Sequence, residues 1–210
     1  MAGIHIKSVA FIATEPIQSI EVQQEIEQAF LQNGVVVFTS MNAVEAVVYY
    51  LENHQPDWQI FCIGNTTFQL VRTYFGEDCI AGTAADAESL AQLIVEERSR
   101  DEVIFFCGDQ RRQELPEILR SNDFEVNEIV VYQTIPLPQK ITGDYDGILF
   151  FSPSAVQSFF QKNQLPPTTV LFAIGNTTAT EIKKYTTNKI IIAHSPGKEN
   201  LVKKMIEYFK

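Results

Sequence analysis

Six short turns rich in serine, threonine, asparagine and glycine hold the residues best suited to chemistry. Each lies between an apolar run and a helical stretch. Thr39-Ser40-Met41-Asn42, Gly64-Asn65-Thr66-Thr67 and Gly108-Asp109-Gln110-Arg111 fall in the first part of the chain. Ser152-Pro153-Ser154, Gly175-Asn176-Thr177-Thr178 and Ser195-Pro196-Gly197-Lys198 fall in the second. A helix start leaves its first amides without intrahelical partners and carries a partial positive charge, so such a turn can take up an anion. Taken singly, each turn reads as an ordinary N-cap, because Ser, Thr and Asn favour that position in any α/β protein. Their recurrence in both parts of the chain points past capping to one shared anionic ligand.

Charged and phenolic residues beside these turns extend the set. Arg111 and Arg112 follow Gly108-Asp109 directly and could offer charge-assisted contacts to a carboxylate. They read equally as a solvated first helical turn with an Asp109 ion pair. Lys198 at a helix start opposes the helix dipole, which favours a ligand role over a structural one. Tyr132 and Thr134 alternate with Val131 and Gln133 and so share one face of an extended segment. If that segment borders the ligand, the phenol of Tyr132 is a candidate proton donor; packing in a hinge is its other reading. No GxGxxG or GxxxxGK[ST] cradle is present, nor a Ser–His–Asp, Cys–His or paired-carboxylate pattern. Cys62, Cys79 and Cys107, with His5, His54 and His194, lack the spacing of a metal site and read as buried thiols and isolated histidines.

The elements that must position these turns are short. Val35–Thr39, Ile60–Ile63, Val103–Cys107, Ile148–Phe151, Val170–Ile174 and Lys189–Ala193 are continuously apolar, which predicts strands of a parallel sheet covered on both faces. Helical periodicity spans Ile20–Asn33, Ala43–Asn53, Thr67–Phe75, Asp86–Arg98, Arg111–Asn122, Ala155–Asn163, Thr178–Tyr185 and Glu199–Phe209. The alternation implies a doubly wound α/β fold. The pattern also repeats. VVVFTSMNAVEAVVYY is echoed by GILFFSPSAVQSFFQK, with Ser152 lying 112 residues after Ser40. IFCIGNTTFQL is echoed by LFAIGNTTATEI, with Gly175 lying 111 residues after Gly64. CIAGTAADAESLAQLI meets IIAHSPGKENLVKKMI, again 111 apart at Leu90 and Leu201. Three elements in one order at offsets of 111 or 112 imply two related domains.

Proline-marked extended segments supply the seams. Residues 9–16 and 131–136 are expected to be antiparallel linker strands. Residues 17–130 then form an inserted α/β domain, residues 1–8 with 137–210 form the other, and the ligand cleft lies between them. The net charge of −10 argues against a nucleic-acid partner, whose backbone wants a basic field. No apolar run is long enough to span a bilayer and no secretory signal pattern opens the chain, so a cytoplasmic protein with reduced thiols is expected.

Together VVFTSMNAV, CIGNTT, FFCGDQRRQELP, VVYQT, GILFFSPSAVQSFF and FAIGNTTATEI resemble the uroporphyrinogen-III synthase family, in order, from about Gly3 to the C-terminus. The resemblance implies two similar doubly wound domains joined by a two-stranded ladder, and a lyase acting on hydroxymethylbilane. It implies no cofactor, a small-molecule substrate with no nucleic acid or membrane partner, transient contact with hydroxymethylbilane synthase, and a monomer. By position, Tyr132 resembles the family's cleft tyrosine, and Thr39, Ser40, Thr67, Ser152, Ser154, Thr177 and Thr178 its cleft hydroxyls. Asn42, Gly64, Asn65, Arg111, Gly175 and Lys198 complete the candidate substrate-binding set. The family usually has a strand and helix before the segment matching Gly3–Pro16, and this sequence shows neither. That implies an unpaired sheet edge beside Ile148–Phe151, in a sequence truncated, wrongly started or completed by a partner. A non-catalytic small-anion or tetrapyrrole binding module, or an inactive truncated synthase, stays open beside the lyase.

Overall fold

Strands form where β-branched and aromatic residues run together, and the alternate faces of those runs decide which helices cover them. A computed structural model of the chain describes residues 3–52, 54–193 and 197–210, with Asn65 described by its backbone. Contacts divide the chain into two compact units, Thr14–Thr134 and the chain up to Ala13 with Ile135–Lys210.

In order, the first stretch contains β1 (Ile12–Pro16), α1 (Ile20–Phe30), β2 (Gly34–Phe38), α2 (Met41–Val48), β3 (Trp58–Ile63) and α3 (Asn65–Phe75). Next come β4 (Ile80–Ala84), α4 (Ala87–Glu97), β5 (Glu102–Gly108), α5 (Glu114–Ser121) and β6 (Glu125–Pro136). They build a six-stranded sheet in the order β1-β6-β5-β2-β3-β4. The pairs β2–β3, β2–β5, β3–β4 and β5–β6 are all parallel. Val36, Phe38, Ile60, Cys62, Ile104 and Phe106 pack with Ile26 of α1, Val44 of α2 and Val71 of α3. Val35, Val37, Phe61, Val103 and Phe105 pack with Leu90 and Ile94 of α4 and Leu115 and Leu119 of α5. Both faces are thus covered, as unbroken apolarity requires. Phe38, Phe61, Phe105 and Phe106 are each at most 1 % exposed, and truncating any one to alanine should cost ~3–5 kcal/mol.

The other unit contains β7 (Gly147–Phe150), α6 (Pro153–Phe160), β8 (Val170–Ala173), α7 (Asn176–Ile182), β9 (Ile190–Ile192) and α8 (Lys198–Tyr208). Its three-stranded parallel sheet runs β7-β8-β9. Phe150, Leu171 and Ala173 face α6 and α7, while Val170 and Phe172 face Leu201 and Met205 of α8. Among the described residues, β7 forms one edge of this sheet. No described helix is long and apolar enough to cross a membrane.

Beside shifts of a few residues at element ends, three differences from the sequence expectation have a clear physical reason. β4 is an added strand: it lies at the sheet edge, so its residues alternate in exposure rather than running apolar. The segment expected as a linker from 131 begins at Glu125, because β6 is a twelve-residue strand that first pairs along the whole of β5. It then meets β1: the Ile17 amide donates to the Val131 carbonyl at 2.9 Å, and the Leu137 amide to the Phe11 carbonyl at 2.8 Å. Partner numbers fall as the other strand rises, so this pairing is antiparallel. Finally, α5 starts at Glu114, not at Arg111. A start at Arg111 would put Pro116 past the first turn, where its missing N–H would break the ladder; a start at Glu114 keeps it among amides that have no partner anyway.

Candidate functional site

In parallel sheets the carboxyl ends of all strands lie at one edge, and strand register sets which turns stand side by side. Phe38 of β2 is level with Phe106 of β5 and with Cys62 of β3. Gly108 ends β5, while Ser40 and Gly64 come just after the last paired residues of β2 and β3. Gly108 is in turn level with Tyr132 of β6. Tyr132 and Gly108 thus face each other across β6 and β5, and Ser40 and Gly64 follow the carboxyl ends of the next two strands, β2 and β3. The chain runs β2 to β3 to β4 in one direction, then returns to place β5 on the other side of β2. That reversal is the topological switch point, beyond whose strand ends open α/β sheets bind ligands. Ser40 and Gly108 flank it.

Each of these residues is held differently. Ser40 Oγ accepts the Asn42 amide at 3.2 Å and caps α2, so the hydroxyl does a structural job as well as lining the turn. Thr39 and Asn42 are half-buried beside it. Gly64 begins α3 with φ +65°, a left-handed geometry that disfavours side chains, and no side chain caps the helix there. Thr67, in the first turn of α3, is 6 % exposed. Asn65 is the first residue of α3, and its side chain lies outside the described residues.

The second sheet repeats the pattern. Phe150 is level with Ala173, and Ser152 and Gly175 each follow that pair by two residues, as Ser40 and Gly64 follow Phe38 and Cys62. Ser152 Oγ accepts the Ala155 amide at 3.2 Å, caps α6 and contacts Ser154 Oγ at 3.1 Å. Gly175 opens α7 without a side-chain cap, in extended backbone. Thr178 is 1 % exposed, whereas Thr177 is exposed. Lys198 is exposed at the first position of α8, after Gly197. Ser195 and Pro196 of that turn, and His194, lie outside the described residues.

Arg111 is engaged elsewhere. It precedes α5, and its Nε donates to Glu128 Oε2, while Arg120 reaches Glu128 Oε1 at 2.8 Å. One of the two sequence readings paired Arg111 with Asp109, but Glu128 is its partner because β6 lies alongside β5 and brings that carboxylate across. Burial pushes the Glu128 pKa up, yet hydrogen bonds from Arg111 and Arg120 outweigh it and hold the carboxyl below its ordinary value. Arg111 is raised chiefly by the same hydrogen bond. Asp109 instead accepts the Thr134 amide at 2.9 Å and the Gln110 side chain at 3.1 Å. The thiols are poor nucleophiles: burial pushes Cys62 up to about 11 and Cys107 up to about 12.

Gly108 and Asp109 were part of a candidate turn but absent from the set of site residues. Gly108 is buried beneath the end of the Tyr132 ring, and among the described residues nothing hydrogen-bonds the Tyr132 hydroxyl. A glycine ending an apolar strand was the available signal, because glycine there marks a close approach.

Known proteins share this architecture. A structure of uroporphyrinogen-III synthetase from Helicobacter pylori 26695 superposes with a TM-score of 0.68 at 16% identity, covering 94% of this chain and 89% of that one. A mutant uroporphyrinogen III synthase from the extremely thermophilic bacterium Thermus thermophilus gives 0.59 at 13% identity, covering 94% and 85%. At these identities the likeness speaks to fold. The family described as uroporphyrinogen-III synthase HemD matches residues 2–203, nearly the whole sequence. The chain belongs to the uroporphyrinogen-III synthase HemD family.

Proposed function

We propose that this protein is a uroporphyrinogen-III synthase, a hydro-lyase that cyclises hydroxymethylbilane and inverts its ring D. Family membership over residues 2–203 carries the reading. The turns support it: the substrate bears eight carboxylates, and backbone amides with Ser and Thr hydroxyls can take up anions without adding basic residues to an acidic protein. Thr39, Ser40, Asn42, Gly64, Asn65 and Thr67 serve the substrate in one unit. Ser152, Ser154, Gly175, Thr177, Thr178 and Lys198 serve it in the other. With its guanidinium on Glu128, Arg111 is the weakest member of the set.

In the reaction, Tyr132 donates a proton to the departing hydroxyl, which leaves as water with the C–O electron pair. The azafulvenium cation left on ring A is attacked by the substituted carbon of ring D. The spiro intermediate then fragments and recloses with ring D reversed, and the proton lost from the newly bonded ring carbon restores the Tyr132 phenol. The protein's contribution is chiefly positional, since the unassisted chain end closes to isomer I. The pathway leaves no role for a nucleophilic thiol, in keeping with the raised Cys62 and Cys107. The free thiols Cys62, Cys79 and Cys107 accord with a reducing, cytoplasmic setting.

The test supplies hydroxymethylbilane enzymatically and separates the uroporphyrinogen isomers. Isomer III in excess of the uncatalysed background supports the reading. Isomer I alone, from folded protein, refutes it, and tight tetrapyrrole binding without turnover would assign a binding module instead.

A further inference from the structure

We propose that Gly108 and Asp109 form a positioning corner that sets where the Tyr132 phenol lies, and through it the rate of the dehydration step; the rate half of this rests on the reading of Tyr132 as proton donor. β5 and β6 pair residue for residue from Glu102 with Glu125 as far as Cys107 with Val130. The register then slips, and Gly108 faces Tyr132, leaving Val131 as the extra residue of a bulge. Bulges of this kind bend one strand and re-aim a side chain. Here the side chain is Tyr132. A Cβ placed on Gly108 would stand 2.4 Å from its Cζ, 2.6 Å from Cε2 and 2.8 Å from the hydroxyl oxygen. The far end of the phenol therefore rests directly on the bare Cα of Gly108. The ring thus lies over the end of β5, the strand whose other side pairs with β2.

Asp109 fixes the backbone from which the ring projects. Its amide donates to the Tyr132 carbonyl at 3.1 Å, and its Oδ1 accepts the Thr134 amide at 2.9 Å. Both peptides flanking Gln133 are tied to one exposed aspartate at the strand end. Backbone tether and ring trough together leave the phenol one resting place, with its hydroxyl unpartnered among the described residues. Any side chain at 108 must displace the ring. The atoms it meets are the outer end of a side chain, not main chain, so the ring turns aside while the strand stays intact.

The experiment places 3-fluorotyrosine at position 132 of the full chain and records the ¹⁹F spectrum with and without Gly108→Ala. Kinetics with hydroxymethylbilane are run on Gly108→Ala, Tyr132→Phe and the double variant. Gly108→Ala should move the ¹⁹F resonance and lower kcat by the same factor as Tyr132→Phe, roughly 10- to 100-fold, with KM within about twofold. The double variant should be no slower than Tyr132→Phe alone, because both changes act through one hydroxyl. Asp109→Ala, which frees the Thr134 amide, should give the same three results and serves if Gly108→Ala does not fold. An unmoved resonance, or losses that multiply in the double variant, overturns the proposal. A resonance that moves while Tyr132→Phe keeps full activity refutes the donor reading, and with it the claimed effect on rate, but leaves the corner's hold on the ring established.

Discussion

Tyr132, Thr67 and Thr178 are the residues whose replacement separates chemistry from architecture. Tyr132→Phe removes one hydroxyl that no described residue hydrogen-bonds, so stability should be unchanged while kcat falls by up to roughly 100-fold, the low end for general-acid assistance. Steady-state rates beside a thermal melt check both halves of that statement. Thr67 and Thr178 occupy equivalent turns and are 6 % and 1 % exposed. Valine matches threonine in shape, and no protein partner for either hydroxyl is seen among the described residues. Thr67→Val and Thr178→Val should therefore raise KM several-fold with little change in Tm. A lowered Tm at unaltered KM would show that these hydroxyls only support the helices.

At the level of elements, the two glycine turns look identical in sequence and differ in backbone. Gly64 has φ +65°, whereas Gly175 lies at −171°, extended backbone open to any residue. A Cβ at either site meets nothing within 4 Å. Gly64→Ala should thus cost about 1–3 kcal/mol from backbone strain alone, and Gly175→Ala should be neutral or slightly stabilising. Urea denaturation of the two variants compares them directly. The β6–α5 contact makes a second prediction. Glu128 titrates below its ordinary value of 4.5 in the folded protein, so its ion pairs contribute in full above that value. Their contribution is lost as pH falls through the lower, folded-state value, because the unfolded chain binds the proton more readily. Glu128→Gln should weaken the protein at neutral pH by about 1–3 kcal/mol and flatten the acid limb of its stability curve. An unchanged acid limb would show that Glu128 contributes nothing to it.

Across the whole molecule, charge of −10 opposes a polycarboxylate ligand at long range. Attraction must then come from short-range amides and hydroxyls, and salt should screen repulsion more than it weakens binding. Raising ionic strength from about 0.02 to 0.2 M, across which the Debye length shortens to well under 10 Å, should raise kcat/KM or leave it level. A steep fall would mean that Lys198 and other basic groups carry binding instead.

Apart from the edge strand β4, the order of strands and helices was legible in the residues, as were the parallel sheets covered on both faces and the internal repeat. Apolar runs such as Val35–Phe38 can be satisfied only between two helix layers, and a fixed offset near 111 survives any uncertainty at element ends. Candidate turns were legible too, because strand, small polar residue and helix follow one another locally. Register was not. Only the folded sheets set β2 between β5 and β3, slipped β6 by one residue at Tyr132, and brought Glu128 from the next strand to Arg111. The backbone angle that distinguishes Gly64 from Gly175 was equally hidden, since both sit in the same IGNTT string. Local sequence dictates which groups stand at strand ends; which of them become neighbours depends on pairing between strands distant in the chain.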